Sequence, residues 1–195
     1  MTDSSNEILL LPTRLAPTPA YYRMMALHPG PVAICLGERF DKRRKDAHRF
    51  AVADTRGRLE LTVPVEKPYG RTWADTRVSL HGRWWEVMAQ ALESAYGRTP
   101  FFEFYADDFM PLLANPERFT SVAALNADFD RAIRRALGLR KEVTYVSKGR
   151  PAEIVPFDPA PYWQVRADRL GFIPNLSILD MLFNLGPESQ LLIKN

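Results

Sequence analysis

The apolar run VAICLG, residues 32–37, constrains the fold more than any other segment of the sequence. It is continuously apolar, partly β-branched and of strand length, a pattern typical of a strand that is covered on both faces. Such a strand belongs in the interior of a sheet. We therefore predict a central sheet that includes residues 32–37.

Further strands are predicted mainly in the first half of the chain. Residues 7–16 are apolar and predict a buried strand, and residues 20–27 predict a short helix. Residues 49–54 and 58–65 are separated by a short glycine-containing loop, a spacing that predicts a β-hairpin. Residues 76–80 predict one more strand. This half of the chain is therefore expected to supply the sheet.

The second half of the chain has helical periodicity. Apolar residues recur at three- and four-residue spacing in residues 83–97, 121–138 and 178–185, and the helical pattern of residues 101–113 is broken by Pro111. We therefore predict a mixed α/β (α+β) fold, in which one mixed central sheet from the N-terminal half is packed by helices largely from the C-terminal half.

Length and composition indicate one domain. A chain of 195 residues with 46% apolar content is expected to form a single domain over residues 1–195, with a proline-rich connection at 147–161. The lone cysteine, Cys35, excludes an intrachain disulfide framework. Residues 1–7 lack the positive region of a secretory signal, and no apolar run reaches the ~20 residues that span a bilayer. A cytoplasmic protein is therefore expected.

A basic stretch, residues 38–49 (ERFDKRRKDAHR), follows the predicted central strand. The formal net charge of the chain is only +3, so the positive charge is local. One interpretation is a solvated loop that discourages edge pairing. Another is a phosphate site, because ligands of open α/β sheets lie beyond the carboxyl ends of strands, where Lys42, Arg43 and Arg49 could hold a diphosphate. A nucleic-acid interface is disfavoured, because the stretch is short and lacks interleaved stacking aromatics.

Three segments together resemble one family. Residues 162–189 contain Tyr-x-Gln, then Gly-Phe-x-Pro-Asn-x-Ser-x-x-Asp and Phe-Asn-x-Gly-Pro; the other two segments are residues 81–109 and the basic stretch with the following LELTVPV. Together these segments cover most of the chain, and in their order along it they resemble the WbqC-like protein family. The resemblance implies a role in surface-polysaccharide synthesis of the O-antigen type, as a transferase that puts a glycyl-type acyl group on a nucleotide-linked amino sugar. Met88 departs from the family, in which a histidine is common at this place.

Two residues are candidates for the catalytic base of such a transfer. Acyl transfer to an amine requires removal of the ammonium proton, which a histidine or a buried carboxylate can perform. Glu38 follows the predicted central strand and faces several cations, and His48 lies within the basic stretch. The sequence leaves open which of them acts. A structural or surface role is the alternative for His48.

The remaining candidates would bind the substrate. Trp85 and Tyr96 could contact a sugar ring, with core packing as the alternative, and Glu93 borders the apolar stripe of its helix. Ser177 and Asp180 form a capping-box pattern, so Asp180 has a structural interpretation beside the functional one that the family signature suggests. The full set of predicted substrate-binding residues is Lys42, Arg43, Arg49, His81, Trp85, Glu93, Tyr96, Gln164, Asn175 and Asp180.

The sequence contains no Gly-rich phosphate loop, no zinc-ligand spacing and no G-x-S-x-G elbow. We therefore expect no metal and no cofactor, and a phosphorylated or nucleotide-linked small molecule as the partner. The alternative is a non-catalytic adaptor whose basic stretch binds an acidic partner, and RNA binding is a weaker alternative. The position of the predicted polar residues distinguishes these three functions, because only the transferase needs them to converge on one cavity.

Overall fold

A computed structural model describes residues 7–67 and 69–195, so residues 1–6, on which the prediction about a secretory signal depends, lie outside it. The strands are β1 (Leu9–Pro12), β2 (Val32–Cys35), β3 (Arg49–Asp54), β4 (Gly57–Thr62) and β5 (Val143–Val146). The helices are α1 (Pro19–Leu27), α2 (Trp84–Tyr96), α3 (Phe102–Ala114), α4 (Val122–Ala136), α5 (Ala167–Leu170), α6 (Ile178–Leu185) and α7 (Ser189–Lys194). The predicted mixed α+β class is confirmed.

The central strand of the fold is β2, as predicted from its apolar run. All four of its residues are buried. It pairs in parallel with β1 on one side and with β5 on the other, and Val32 aligns with both Leu9 and Val143. All three strands therefore end at the same edge of the sheet, which places the loops that follow Pro12, Cys35 and Val146 next to one another.

The prediction of one sheet from the N-terminal half is wrong in two respects. The hairpin β3–β4 forms a separate antiparallel sheet, and β5 comes from the second half of the chain. The predicted strand at residues 76–80 makes only one isolated bridge, between Val78 and Val65. Pro64 explains this break, because it has no N–H to donate and so ends the ladder that β4 would otherwise continue. Because β5 is short and incompletely buried, it lacks the long apolar run that identified β2.

One apolar core connects the two sheets to the helices, and it extends from Leu11 in β1 to Ile193 in α7. At its centre, the Phe183 ring lies 5.2 Å from that of Tyr96, 5.1 Å from that of Phe102 and 5.9 Å from that of Phe109. Helices α2, α3 and α6 therefore meet around one aromatic cluster. In the part of the chain that the structure describes, no helix is both long and apolar enough to cross a membrane.

Helix α3 is continuous through Pro111, contrary to the predicted break. Pro111 lies on the exposed face of the helix. There, water can hydrate the carbonyl that loses its N–H donor, which reduces the cost of a proline inside a helix.

Candidate functional site

A cavity of about 260 Å³ lies between the loop after β1, the hairpin β3–β4 and the segment before α6. One part of its wall is apolar and includes Ala16, Tyr21, Phe50 and Ile154. The other part is charged: its basic residues are Arg14, Lys45, Arg49 and Arg58, and its acidic residues are Asp46 and Glu60. The bases outnumber the acids, so the cavity favours an anionic ligand that also carries an apolar part.

Arg14 is the most buried charged residue of the cavity wall, with 4% of its surface exposed. Its Nη1 donates hydrogen bonds to Glu38 Oε2 at 2.8 Å and to the Thr13 carbonyl at 2.7 Å. Its Nε lies 2.5 Å from Asp46 Oδ2, but without the alignment of a hydrogen bond. Two carboxylates thus compensate for the burial of the guanidinium and fix it at the cavity wall.

The hairpin supplies two further cations. Arg49 opens β3 and pairs with Glu60 of β4, with 2.6 Å between Arg49 Nη1 and Glu60 Oε2. Arg58 of β4 donates from Nη1 to the Asn175 carbonyl at 3.0 Å. These contacts hold both guanidinium groups at the cavity while leaving other N–H groups of each fork to bind a ligand.

The segment before α6 closes the cavity through backbone contacts. Ser177 donates from Oγ to the Ala16 carbonyl at 2.7 Å, and its N–H donates to the Ala51 carbonyl of β3 at 2.8 Å. Ala16 and Asn175, which both line the cavity, have positive φ angles of 40° and 55°. Such backbone is unfavourable for a residue with a Cβ and is often found at ligand sites.

The structure brings together two predicted residues that are far apart in the sequence. Arg49 and Asn175 line the same cavity. Lys42 and Arg43 do not line it: both are exposed, and Arg43 pairs with Asp41 at 3.0 Å. Lys45 of the same basic stretch takes their place.

The two predicted bases lie in different surroundings. Glu38 does not line the cavity, but it binds the Arg14 guanidinium that does. The His48 Nδ1 lies 2.8 Å from the Val63 carbonyl, and its ring packs 5.7 Å from that of Trp73. His48 therefore joins β3 to the segment after β4, and only Glu38 is connected to the cavity.

His81, Trp85 and Glu93 lie away from the cavity. His81 and Glu93 are exposed, and Trp85 packs edge-on against Trp84 with 5.9 Å between ring centroids. The roles predicted for these three residues in substrate binding find no support in the position of the cavity.

Tyr96, Gln164 and Asp180 meet in a buried network beneath the cavity wall. Asp180 is fully buried; its Oδ1 accepts from Tyr96 at 2.8 Å, and its Oδ2 accepts from Tyr162 at 2.6 Å and from Gln164 at 2.9 Å. Burial raises the pKa of Asp180, and the hydrogen bonds from Tyr162, Tyr96 and Gln164 oppose that rise.

The capping-box prediction is right for one of its two residues. Ser177 caps α6, because its Oγ accepts from the Leu179 N–H at 3.2 Å. Asp180 does not accept the hydrogen bond from the Ser177 N–H that a capping box requires. The Ser177 N–H donates to the Ala51 carbonyl, and the Asp180 carboxylate accepts from Tyr96, Tyr162 and Gln164. The network instead attaches the segment that carries Asn175 to α2 and α6.

The model of the WbqC-like protein family matches residues 37–154. The chain belongs to the WbqC-like protein family. No curated protein and no solved structure matches it. The matched range includes the basic stretch after Glu38, the hairpin and the segment 81–109, but not residues 162–189, in which we found the most detailed motif.

Within this WbqC-like chain, the matched range supplies only part of the cavity wall. Lys45, Arg49 and Arg58 lie inside it, whereas Arg14 and Asn175 lie outside. The matched range therefore contains the cationic hairpin, and segments on both sides of it supply the rest of the cavity wall. Across residues 7–67 and 69–195 there is no group of three or more His, Cys, Asp or Glu side chains that could hold a metal ion.

Sequence reasoning missed Arg14, Lys45 and Arg58. Arg14 was hidden because the predicted first strand, residues 7–16, includes it, whereas β1 ends at Pro12 and Arg14 lies in the loop at the carboxyl edge of the sheet. Arg58 was placed in the hairpin, but no sequence pattern relates it to Asn175, 117 residues away.

The burial of His48 predicts a pH dependence of stability. Burial lowers the pKa of His48, with a smaller opposing effect of the hydrogen bond to Val63. The unfolded chain therefore takes up this proton first as the pH falls through about 6.5, so stability is expected to decrease there. Urea unfolding of the His48→Gln variant at pH 7.5 and 5.5 should show a smaller decrease than the wild type. The variant His81→Gln, at an exposed position, should keep the wild-type decrease. If the free energy of unfolding decreases equally in all three proteins between pH 7.5 and 5.5, the prediction is wrong.

Proposed function

We propose that this protein is a transferase of surface-polysaccharide synthesis that binds a nucleotide-linked amino sugar in the cavity lined by Arg14, Arg49 and Asn175. Its family membership agrees with this role. The observation that most directly supports the proposal is that Arg49 and Asn175, from opposite halves of the chain, line one cationic cavity. Arg49 and Arg58 would bind the phosphate groups, for which the planar guanidinium fork is well suited.

The apolar part of the wall would contact the sugar. Tyr21 and Phe50 supply aromatic surface, and Ile154 supplies aliphatic surface. The cavity volume of about 260 Å³ is slightly below the range of about 300–1,000 Å³ that is typical of ligand pockets. The enclosed part of the ligand would thus be the sugar and its nearest phosphate, with the nucleoside extending outward.

Asp46 is the carboxylate placed to take the proton from the amine of the sugar. It lines the cavity and its side chain is 56% exposed, so it can reach a bound ligand. Transfer of a proton from the ammonium group to Asp46 would leave the neutral amine as the nucleophile. Its attack on the acyl carbon of an activated acyl donor would form the amide bond, while the bond between that carbon and the leaving group of the donor breaks and the leaving group departs with the electron pair. Glu38, the base favoured from the sequence, would hold Arg14 in position instead.

Nucleotide-sugar binding tests the proposal. Isothermal calorimetry with UDP- and dTDP-linked amino sugars should show binding that is about tenfold weaker in Arg49→Gln and in Arg58→Gln, the loss expected for a hydrogen bond to a charged group. Arg83→Gln is the matched control, because Arg83 is exposed and pairs with Glu86 away from the cavity. Absence of binding by the folded wild-type protein would overturn the proposal.

The adaptor alternative is favoured by one observation. Arg39, Lys42, Arg43, Arg44 and Lys45 are all exposed, so the basic stretch presents a predominantly cationic loop to solvent. Binding through this loop would weaken steeply with salt and would be reduced by Lys42→Gln as much as by Arg49→Gln. Binding within the cavity predicts instead that Arg49→Gln weakens binding and that Lys42→Gln does not. The same titrations at two salt concentrations therefore separate the two functions.

A further inference from the structure

A second hollow, of about 410 Å³, lies at the carboxyl edge of the parallel sheet. Each of the three strands contributes to it: Pro12 ends β1, Glu38 follows β2 and Arg150 follows β5. This is the position at which open α/β sheets bind ligands. Arg14 lines both this hollow and the first cavity, so the two spaces share one residue of their walls.

Close backbone packing holds the walls of the second hollow in place. A Cβ atom at Gly37 would lie 1.8 Å from the Ser147 carbonyl oxygen, so the loops after β2 and β5 approach as closely as glycine allows. The Ala152 N–H donates to the Leu10 carbonyl at 2.8 Å. Residues 150–153 are thereby attached to β1, and Arg150 is held over the sheet edge.

The charged residues of this hollow are not all paired with one another. Its lining contains Arg14, Arg44 and Arg150 against Glu38 and Glu153. Arg14 and Glu38 bind each other, but over the described residues 7–67 and 69–195 neither Arg44 nor Arg150 has a carboxylate within ion-pair distance. The Arg14 Nε lies against Asp46, which lines the first cavity. Arg44 and Arg150 are thus the two guanidinium groups that this space offers to a ligand.

We propose that this second hollow binds a compact anion, the phosphate or carboxylate group of a second reactant, with Arg44 and Arg150 as its ligands. Planar guanidinium forks bind both groups in bidentate fashion. Glu153 at the rim limits the negative charge that the hollow accepts. The identification of the anion as part of a second reactant rests on the proposed transferase function, whereas the anion site itself rests only on the geometry of the hollow.

Titration of the full-length protein with inorganic pyrophosphate and with malonate tests the second site. Whichever probe binds, Arg150→Gln should weaken its binding about fivefold and Glu153→Gln should strengthen it, since one removes a cation and the other an anion. Arg83→Gln, which changes an exposed arginine that pairs with Glu86 and lines neither cavity, should leave this binding unchanged. The probe that binds with the higher affinity, pyrophosphate or malonate, identifies the anionic group of the ligand as phosphate or carboxylate.

Two results would overturn the second site: no binding of either probe to the folded protein, or binding that depends on Arg58 and not on Arg150. Failure of the transferase proposal is distinguishable, because it would appear as absence of nucleotide-sugar binding. Pyrophosphate or malonate binding that depends on Arg150 would persist in that case.

Discussion

Replacement of Asp180 by alanine is expected to destabilise the fold by about 3–5 kcal/mol, the largest loss that we predict for a single side chain. The reason is the set of donors left behind. Tyr96, Tyr162 and Gln164 donate to this carboxylate within 2.6–2.9 Å, and the site is inaccessible to solvent. In the variant these three donors would stay buried, away from water, without the acceptor that now satisfies them, and this costs stability.

The same variant should change the pH dependence of stability. Because burial raises the pKa of Asp180, the folded state retains its proton to a higher pH than the unfolded chain does. Stability from this group is therefore full below its ordinary pKa near 3.8 and decreases as the pH rises from there through the folded-state pKa. Asp180→Ala should remove this decrease, so its destabilisation should be largest at the acidic end of that window.

Urea unfolding at several pH values measures both effects. Asp168→Ala is the matched control, because Asp168 is an exposed aspartate in α5 of the same C-terminal segment. It should change the free energy of unfolding by less than about 0.5 kcal/mol. A loss below about 1 kcal/mol for Asp180→Ala would show that the network contributes little to holding the segment before α6.

Local sequence patterns were sufficient for most of the secondary structure. The run at residues 32–37 identified the central strand, because burial on both faces leaves a continuous apolar sequence. The hairpin was predicted with its first strand at residues 49–54, where β3 lies. Helix α4 was predicted from the apolar stripe of residues 121–138, and in the structure Ser121 caps it, with its Oγ accepting from the Ala124 N–H at 3.2 Å.

Long-range pairing was not predictable in the same way. Strand β5 has four residues and is only partly buried, so no local pattern distinguishes it from a loop. Its partner β2 lies more than 100 residues earlier. The assignment of the strands to two sheets depends on such pairings, which explains why one sheet was predicted in place of two.

The candidate site was predictable only in part, for the same reason. Arg49 and Asn175 were chosen from charge and from the family signature, and both line the cavity. Asp180 was recognised through the same signature, but its burial under Tyr96 depends on the packing of α2 against α6. Arg14 was missed because its importance comes from two partners, Glu38 and Asp46, that the fold brings to it.

Replacement of Arg14 by methionine is expected to weaken ligand binding at both cavities by more than about tenfold and to destabilise the fold by about 2–4 kcal/mol. Methionine preserves much of the buried volume but removes the guanidinium that both spaces share. Glu38, with its side chain only 14% exposed, would lose its cationic partner, whereas the more exposed Asp46 can be hydrated. The loss of stability should therefore be smaller than for a fully buried ion pair.

A double-mutant cycle separates the structural effect of Arg14 from its effect on binding. Arg14→Met combined with Glu38→Gln removes both charges, so stability should recover relative to Arg14→Met alone. Binding of nucleotide-linked sugars and of pyrophosphate should not recover, because the shared guanidinium is still missing. If the double variant regains binding along with stability, Arg14 acts only through the fold. If Arg14→Met binds both probes as the wild type does, Arg14 contributes nothing to ligand recognition.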